Sequence, residues 1–254
     1  FLVIPTFNFL NSFNLNYGII ILLLTILVRI ILLPLTYGSF KSQAKMKVLQ
    51  PEMAEINEKY KDDAMKKQQE TMGLYKKAGV NPLGGCIPGL LQMPILIAMF
   101  RFFPSSIELR QEPFLWATDL STYDNILDLP FNIPFYGAHV SLFTLLMTVS
   151  TIIYTRVNMQ MTTATNPQMK WMMYLMPIFF LGFFNNYSSG LSYYYFLSNM
   201  FGFGQQYLFK AFLDEDAIHR QIQENKKKPV KKSGFQQRLE DMAKQRGIQP
   251  PKKK

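Results

Sequence analysis

Arg29 carries a full positive charge inside "LLTILVRIILLPLT" (Leu23–Thr36), a stretch that otherwise has the composition of a lipid-facing helix. On insertion scales an arginine near the middle of a bilayer costs about 2.5–3.5 kcal/mol. A side chain that costly needs a partner or a purpose. Thr25 lies one turn before it and Thr36 seven residues after it, so the three share one helical face. Further polar stripes follow. Ser141, Thr144, Thr148, Thr151 and Thr155 step by 3, 4, 3 and 4. Ser192, Tyr195, Asn199 and Gln206 lie on one face of a later block, and Gln92 sits in the middle of another. None of these groups has a role facing lipid, where each unpaired donor or acceptor is costly.

Two roles without chemistry compete for them. Serine, threonine and asparagine often join helices inside membranes, which suits the hydroxyl stripe taken alone. Arg29 could also snorkel, because it stands about 13 residues into its block, in the half nearer the basic loop. A water-filled cavity accommodates the charge and the stripes together. No Asp or Glu falls inside any of the apolar blocks to pair with the guanidinium. A buried, unpaired charge is disfavoured, and an intramembrane charge is by default a functional group.

Other chemistries find no support. The single cysteine, Cys86, excludes an internal disulfide and a cysteine-rich metal site. His139 and His219 are far apart, and no HExxH, GxSxG, Walker or GxGxxG pattern occurs. His139 with Ser188 or Ser189 lacks the elbow motif of a serine hydrolase. No catalytic residue, metal or cofactor is assigned, and the chain is expected not to be an enzyme.

The elements that must position Arg29 come from the apolar blocks. The mean hydropathy is near zero, an average over apolar blocks of membrane-spanning length and strongly charged segments. The fold class is an all-α integral membrane protein, a five-transmembrane-helix core with a cytoplasmic helical hairpin. The spans run over about 17–36, 84–103, 136–157, 171–187 and 191–212. "NNYSSG" is too short to let the last two be anything but an antiparallel pair. Residues 1–16 hold aromatics, four asparagines and no charge, and fit an external interfacial segment. The chain opens at Phe1 with no charged leader and is read as a fragment or processed form.

Orientation follows the basic residues. The 37–83 connection carries nine lysines, and the tail 213–254 twelve basic residues. The 104–135 loop carries only Arg110 against five carboxylates. The N-terminus of the chain is therefore expected outside, and the C-terminus in the cytoplasm. Within 37–83, Met46, Leu49, Met53, Ile56 and Tyr60 form one seam, and Met65, Met72 and Tyr75 a thinner one. Pro51 should kink or restart the first helix, and "NPLGG" should stop the second. So thin a pair of seams predicts a mobile hairpin.

Five runs occur in order: "ILVRIILLPLT", "AKMKVLQPEM", "LYKKAGVNPLGGCIPGLLQMPI", "ELRQEPFLWATDLS" and "SSGLSYYYFLSN". Through them the chain resembles the YidC membrane-protein insertase family from about Phe7 to Phe212. The resemblance implies a bacterial inner-membrane protein with a hydrophilic groove open to the cytoplasm and to lipid, and closed to the outside. Arg29 would be the groove arginine. Thr25, Gln92, Tyr194 and Tyr195 fall at groove or substrate-facing positions, and the stripes add Thr144, Thr148, Ser192 and Asn199. The implied partners are nascent membrane proteins, membrane lipids, the ribosome (through the basic tail and hairpin) and the Sec translocon, with no DNA. Gram-negative members carry a further span and a periplasmic domain before this core, which fits a piece of a longer protein. A lipid scramblase or an anion transporter could use a similar groove, although no internal repeat is visible.

Overall fold

The computed structural model describes residues 3–81, 84, 87–161 and 167–227. Helix α1, Val3–Asn11, places Phe7 against Tyr17 and edge-on to Phe102. Asn16 then caps α2, Tyr17–Val48, its side chain accepting from the Gly18 amide at 2.9 Å. This helix runs on through Pro34 without a break, so the expected first span and the first part of the hairpin are one rod.

The chain restarts as α3, Gln50–Lys59, with Pro51 in its first turn, where the missing amide removes no helical bond. Helix α4, Ala64–Ala78, starts at Asp63. Its carboxylate accepts the Lys66 amide at 3.0 Å, and that bond above all holds it below the usual carboxylate range. The helix ends on Gly79 at φ 66°, a left-handed cap that a glycine adopts without strain. The stop signal is therefore Gly79, ahead of the "NPLGG" expected to supply it.

Helix α5 is Ile87–Ser105, followed by a short 3-10 turn at Ile107–Leu109. Helices α6 (Leu142–Met161), α7 (Pro167–Asn185) and α8 (Ser189–Phe212) complete the apolar set. By length and composition α2 is the one described helix apolar enough to cross a membrane unaided. Shorter apolar stretches cover Gly89–Ser105, Leu142–Asn158 and Trp171–Asn185. Helix α8 is long enough, but its serines, asparagine and glutamines lower its hydropathy.

Two expectations need correction. The chain is not wholly helical: strands β1 (Leu127–Ile133) and β2 (Gly137–Val140) pair antiparallel in the 104–141 region. Consequently the third helix begins at Leu142 and not at Tyr136. Pro134 at the tip turn, with Gly137 following at φ 107°, breaks helical geometry there. Residues Glu215–Lys227 form α9. The basic runs from 228 onward lie outside the described residues.

Two cores result. The larger joins Ile20, Ile21 and Leu24 of α2 to Met99 and Phe103 of α5, Phe143 and Met147 of α6, and Leu191 and Tyr194 of α8. Loop residues Leu109 and Leu120 are buried in the same core. Asp124 anchors that loop. Its buried carboxylate accepts Trp116 Nε1 at 2.8 Å, the Leu142 and Phe143 amides at 2.9 and 3.1 Å, and the Ser141 hydroxyl. It thus caps α6 and bridges two segments of loop. Across the α7–α8 turn, Ser188 donates to Leu120 O at 2.7 Å, and Asn185 holds Tyr136 and His139 by their carbonyls.

The smaller core unites Met46, Leu49 and Met53 with Tyr75, Ala78 and Val80, and with Ile218 and Ile222 of α9. The hairpin is thus a three-helix cap. Two ion pairs border it, an exposed Lys47–Glu215 and a part-buried Lys226–Glu52. Asn225 donates to Ala78 O at 3.3 Å. The ion pairs contribute little at the surface; the isoleucines carry the docking. We expect Ile222→Val to cost about 1 kcal/mol locally and to raise amide exchange in α4 about fivefold, leaving α6 unchanged. Exchange in α4 that ignored the substitution would contradict this role for α9.

Candidate functional site

Below the larger core, the faces of α2, α5, α6 and α8 diverge around a groove of about 480 Å³. On α2 its wall runs from Arg29 through Thr36 and Phe40 to Met46. At 1.5 Å per residue that wall is about 25 Å long. The opposite wall on α8 is Tyr195, Ser198, Gly202, Gln205 and Phe209, steps of 3, 4, 3 and 4 along one face. Gln92 of α5, Tyr154 and Asn158 of α6, Met173 of α7, and Asn199 and Gln206 of α8 add to the lining.

Arg29 reaches across the groove. Its guanidinium donates to the backbone carbonyl of Ser198, and Gln205 donates back to Arg29 O at 3.5 Å. Beside it, Gly202 leaves room for the Tyr154 ring. A Cβ there would lie 2.9 Å from Tyr154 Cε2 and 3.7 Å from Arg29 Nη2. Among the described residues Arg29 has no carboxylate in ion-pair range. A charge satisfied by a carbonyl dipole keeps donors free for another acceptor. Nearby, the Tyr195 hydroxyl and Gln206 Oε1 are buried without a hydrogen-bond partner. Toward the cap, the Lys45 amine is pulled below the usual lysine range, first by burial and then by the charge of Lys41.

The predicted residues divide. Arg29, Gln92, Tyr195 and Asn199 line the groove, together with Thr36. Tyr194 is buried in the larger core, its hydroxyl turned toward Gln92, Ser198 and Arg29. Thr25 is fully buried and donates to its own helix, at Ile21 O. Thr144 and Ser192 share a 3.1 Å hydrogen bond between α6 and α8. Thr148 is buried in the same region. Asn199 donates to Ser150 and Thr151, and Gln206 to Asn158 at 2.6 Å. Two members of the α6 hydroxyl stripe, Thr144 and Thr151, therefore bond across to α8. Asn199 and Gln206 stand where these contacts and the groove meet.

Tyr154, Asn158, Ser198, Gly202 and Gln205 were not singled out from the sequence. Asn158 continues the α6 stripe by one more step of three. The α8 wall could have been found by starting the same periodicity at Tyr195 and stepping to Ser198.

Comparisons with known proteins agree with this architecture. Residues 9–216 match the family model described as 60Kd inner membrane protein. The chain is 54% identical over 250 residues to the membrane protein insertase YidC of Parabacteroides distasonis, covering 95% of this chain and 40% of that protein. The corresponding protein of Bacteroides fragilis strain ATCC 25285 is 52% identical over 252 residues, covering 96% of this chain and 41% of its own length. This chain thus spans about two fifths of the length of the curated relatives it matches. A structure described as active YidC insertase, with its first transmembrane domain resolved, superposes at a TM-score of 0.57 with 30% identity. It covers 78% of this chain and 43% of that one.

Proposed function

The chain belongs to the YidC membrane-protein insertase family, and from that premise we propose that it moves hydrophobic segments of nascent proteins from the cytoplasm into the bilayer. The upper part of α2, with α5, α6, α7 and α8, forms five spans. The three-helix cap lies in the cytoplasm and the β-hairpin loop outside. The groove then opens beneath the cap and is closed outward by the packed core around Phe103 and Tyr194. The observation that supports this most is Arg29: a lone guanidinium on a carbonyl, facing a polar-lined groove.

Magnitudes favour a passive mechanism. A substrate span gains about 0.3–0.6 kcal/mol for each central Leu, Ile, Phe or Val on entering lipid. Each acidic residue in its translocated flank costs about 2.5–3.5 kcal/mol at the bilayer centre. A guanidinium at 4 Å returns about 4 kcal/mol where the effective dielectric is near 20. Arg29 is therefore able to offset one carboxylate, and the apolar segment supplies the rest. The membrane potential adds about 2.3 kcal/mol per charge per 100 mV. The groove receives the flank while the apolar segment leaves sideways into lipid. The cap and the basic tail supply contact with the ribosome, whose RNA backbone attracts lysine runs, and the Sec translocon is a further partner.

The test is reconstitution of the purified chain in liposomes with a one-span reporter. Protease-protected reporter above the level of empty liposomes is expected, and none would refute the proposal. For topology, single cysteines replace Gln68 and Asn125, both exposed, in a Cys86→Ser background. An impermeant reagent added to intact cells should label position 125 and spare position 68. Labelling at 68 would overturn the orientation.

A further inference from the structure

The tip of the β1–β2 hairpin combines features that water does not explain. Phe135 is 95% exposed, Phe131 60% and Ile133 37%. The Tyr136 amide donates to Ile133 O at 3.1 Å, closing a turn with Pro134 second and Phe135 third. Phe135 sits there at φ 66°, in a position that glycine or asparagine fills with least strain. A strained backbone that presents an aromatic ring outward points to a use for the ring.

The tip is also fixed against a helix. Asn185 and Asn186, at the end of α7, both donate to Tyr136 O, at 2.9 and 2.8 Å. Phe135 O lies 3.0 Å from where a Cβ on Gly182 would stand. Gly182 is three residues inside the end of α7, about 4.5 Å along its axis. Beside it, Phe179 and Phe183 of α7 are exposed. The hairpin's apolar residues thus lie beside the uncovered apolar face of α7; of its polar members, Asp128 and His139 pair at the base, and Asn132 stands between Phe131 and Ile133. In water, a two-stranded apolar sheet with open edges would be marginal and prone to association. Deep in hydrocarbon its unpaired edge amides would be too costly. Pro130 and Pro134 remove two of those amides. Only the interfacial layer suits both constraints.

We propose that this hairpin tip is a lipid anchor: Phe135, with Phe131 and Ile133, seats among the acyl chains of the outer leaflet beside α7. The proposal rests on α7 being a span, as argued above. The test attaches a nitroxide at Phe135→Cys, Phe131→Cys, Asn125→Cys or Phe179→Cys in the Cys86→Ser background. The purified chain is placed in phosphatidylethanolamine–phosphatidylglycerol vesicles. Collisions with oxygen and with a water-soluble nickel chelate are then compared. The oxygen-to-nickel ratio at 135 and 131 should be several-fold above that at 125 and approach that at 179. Ratios at 135 and 131 equal to that at 125, with 179 still in lipid, would overturn the anchor and leave the span intact. This would also be the result if a protein partner, absent from the vesicles, were the true occupant. A watery ratio at 179 as well would remove the span reading and the anchor with it.

Discussion

Arg29→Ala lowers insertion of a reporter with an acidic translocated flank about tenfold, and changes insertion of a neutral-flank reporter by about twofold or less. The difference arises because the guanidinium acts on the flank's charge. A tenfold change corresponds to about 1.4 kcal/mol, a fraction of the roughly 4 kcal/mol available at close range, as expected for a partly wet groove. Folding should survive, and thermal stability should hold or rise. The substitution removes a charge without a carboxylate partner, and the Ser198 carbonyl it releases still lies within α8. Arg29→Lys retains part of the activity if a point charge suffices, and loses it if both arms of the guanidinium are used, one on Ser198 and one on substrate. The measurement is reporter protection in proteoliposomes for all three proteins and both flanks. Equal losses for both flanks would mean that Arg29 maintains the groove's water or shape. No loss with either would mean that it serves no substrate.

Asp124→Ala is the second large effect, and it falls on stability. The substitution leaves Trp116 Nε1, the Ser141 hydroxyl and two amides of the first turn of α6 without their acceptor. Loss of a helix cap costs about 0.5–2 kcal/mol, and an orphaned buried donor about 1–3 kcal/mol. Some donors will find water, so a total of about 2–4 kcal/mol is expected. That is a fall of about 5–10 °C in the unfolding midpoint in detergent. Asp124→Asn should fall between, since its amide offers one acceptor oxygen and turns an NH2 toward the remaining donors. A midpoint unchanged in Asp124→Ala would show that the loop is held by the Ser188 and Asn185 contacts alone. Insertion per folded molecule should be unaltered, because Asp124 lies on the far side of the core from the groove.

The groove and this anchor differ in how far the sequence revealed them. Arg29 was legible because a charge among leucines and isoleucines is costly wherever it lies. Gln92, Tyr195 and Asn199 followed from the same contrast. Thr144 and Ser192, expected in the groove, hydrogen-bond to each other between α6 and α8, and Thr148, expected with them, is buried with its hydroxyl unpartnered. Periodicity identifies a face and says nothing about which neighbour that face meets. Asp124 looked like one more loop carboxylate, because its donors come from two separate stretches of chain. Helix α9 was hidden by its charges: Ile218 and Ile222 are a single i, i+4 pair among polar residues, too weak a stripe to stand out alone. Strand β2 was absorbed into the third span because its apolar run adjoins it, and β1 was left in the loop, although Pro130, Pro134 and Gly137 were visible as breaks.

The unbroken course of α2 has a mechanical consequence. Its N-terminal part is clamped by Ile20, Ile21 and Leu24 in the larger core, and its C-terminal end carries Met46 and, just beyond, Leu49 in the cap. Pro34 stands between them, next to the groove wall, where one helical hydrogen bond is missing. From Pro34 to Leu49 the arm is about 22 Å long. A bend of about 10° at that joint swings the cap by about 4 Å and widens or narrows the groove mouth at Phe40 and Met46. Under the proposed function, a nascent chain that presses on the cap works a crank whose pivot lies between one and two turns from Arg29.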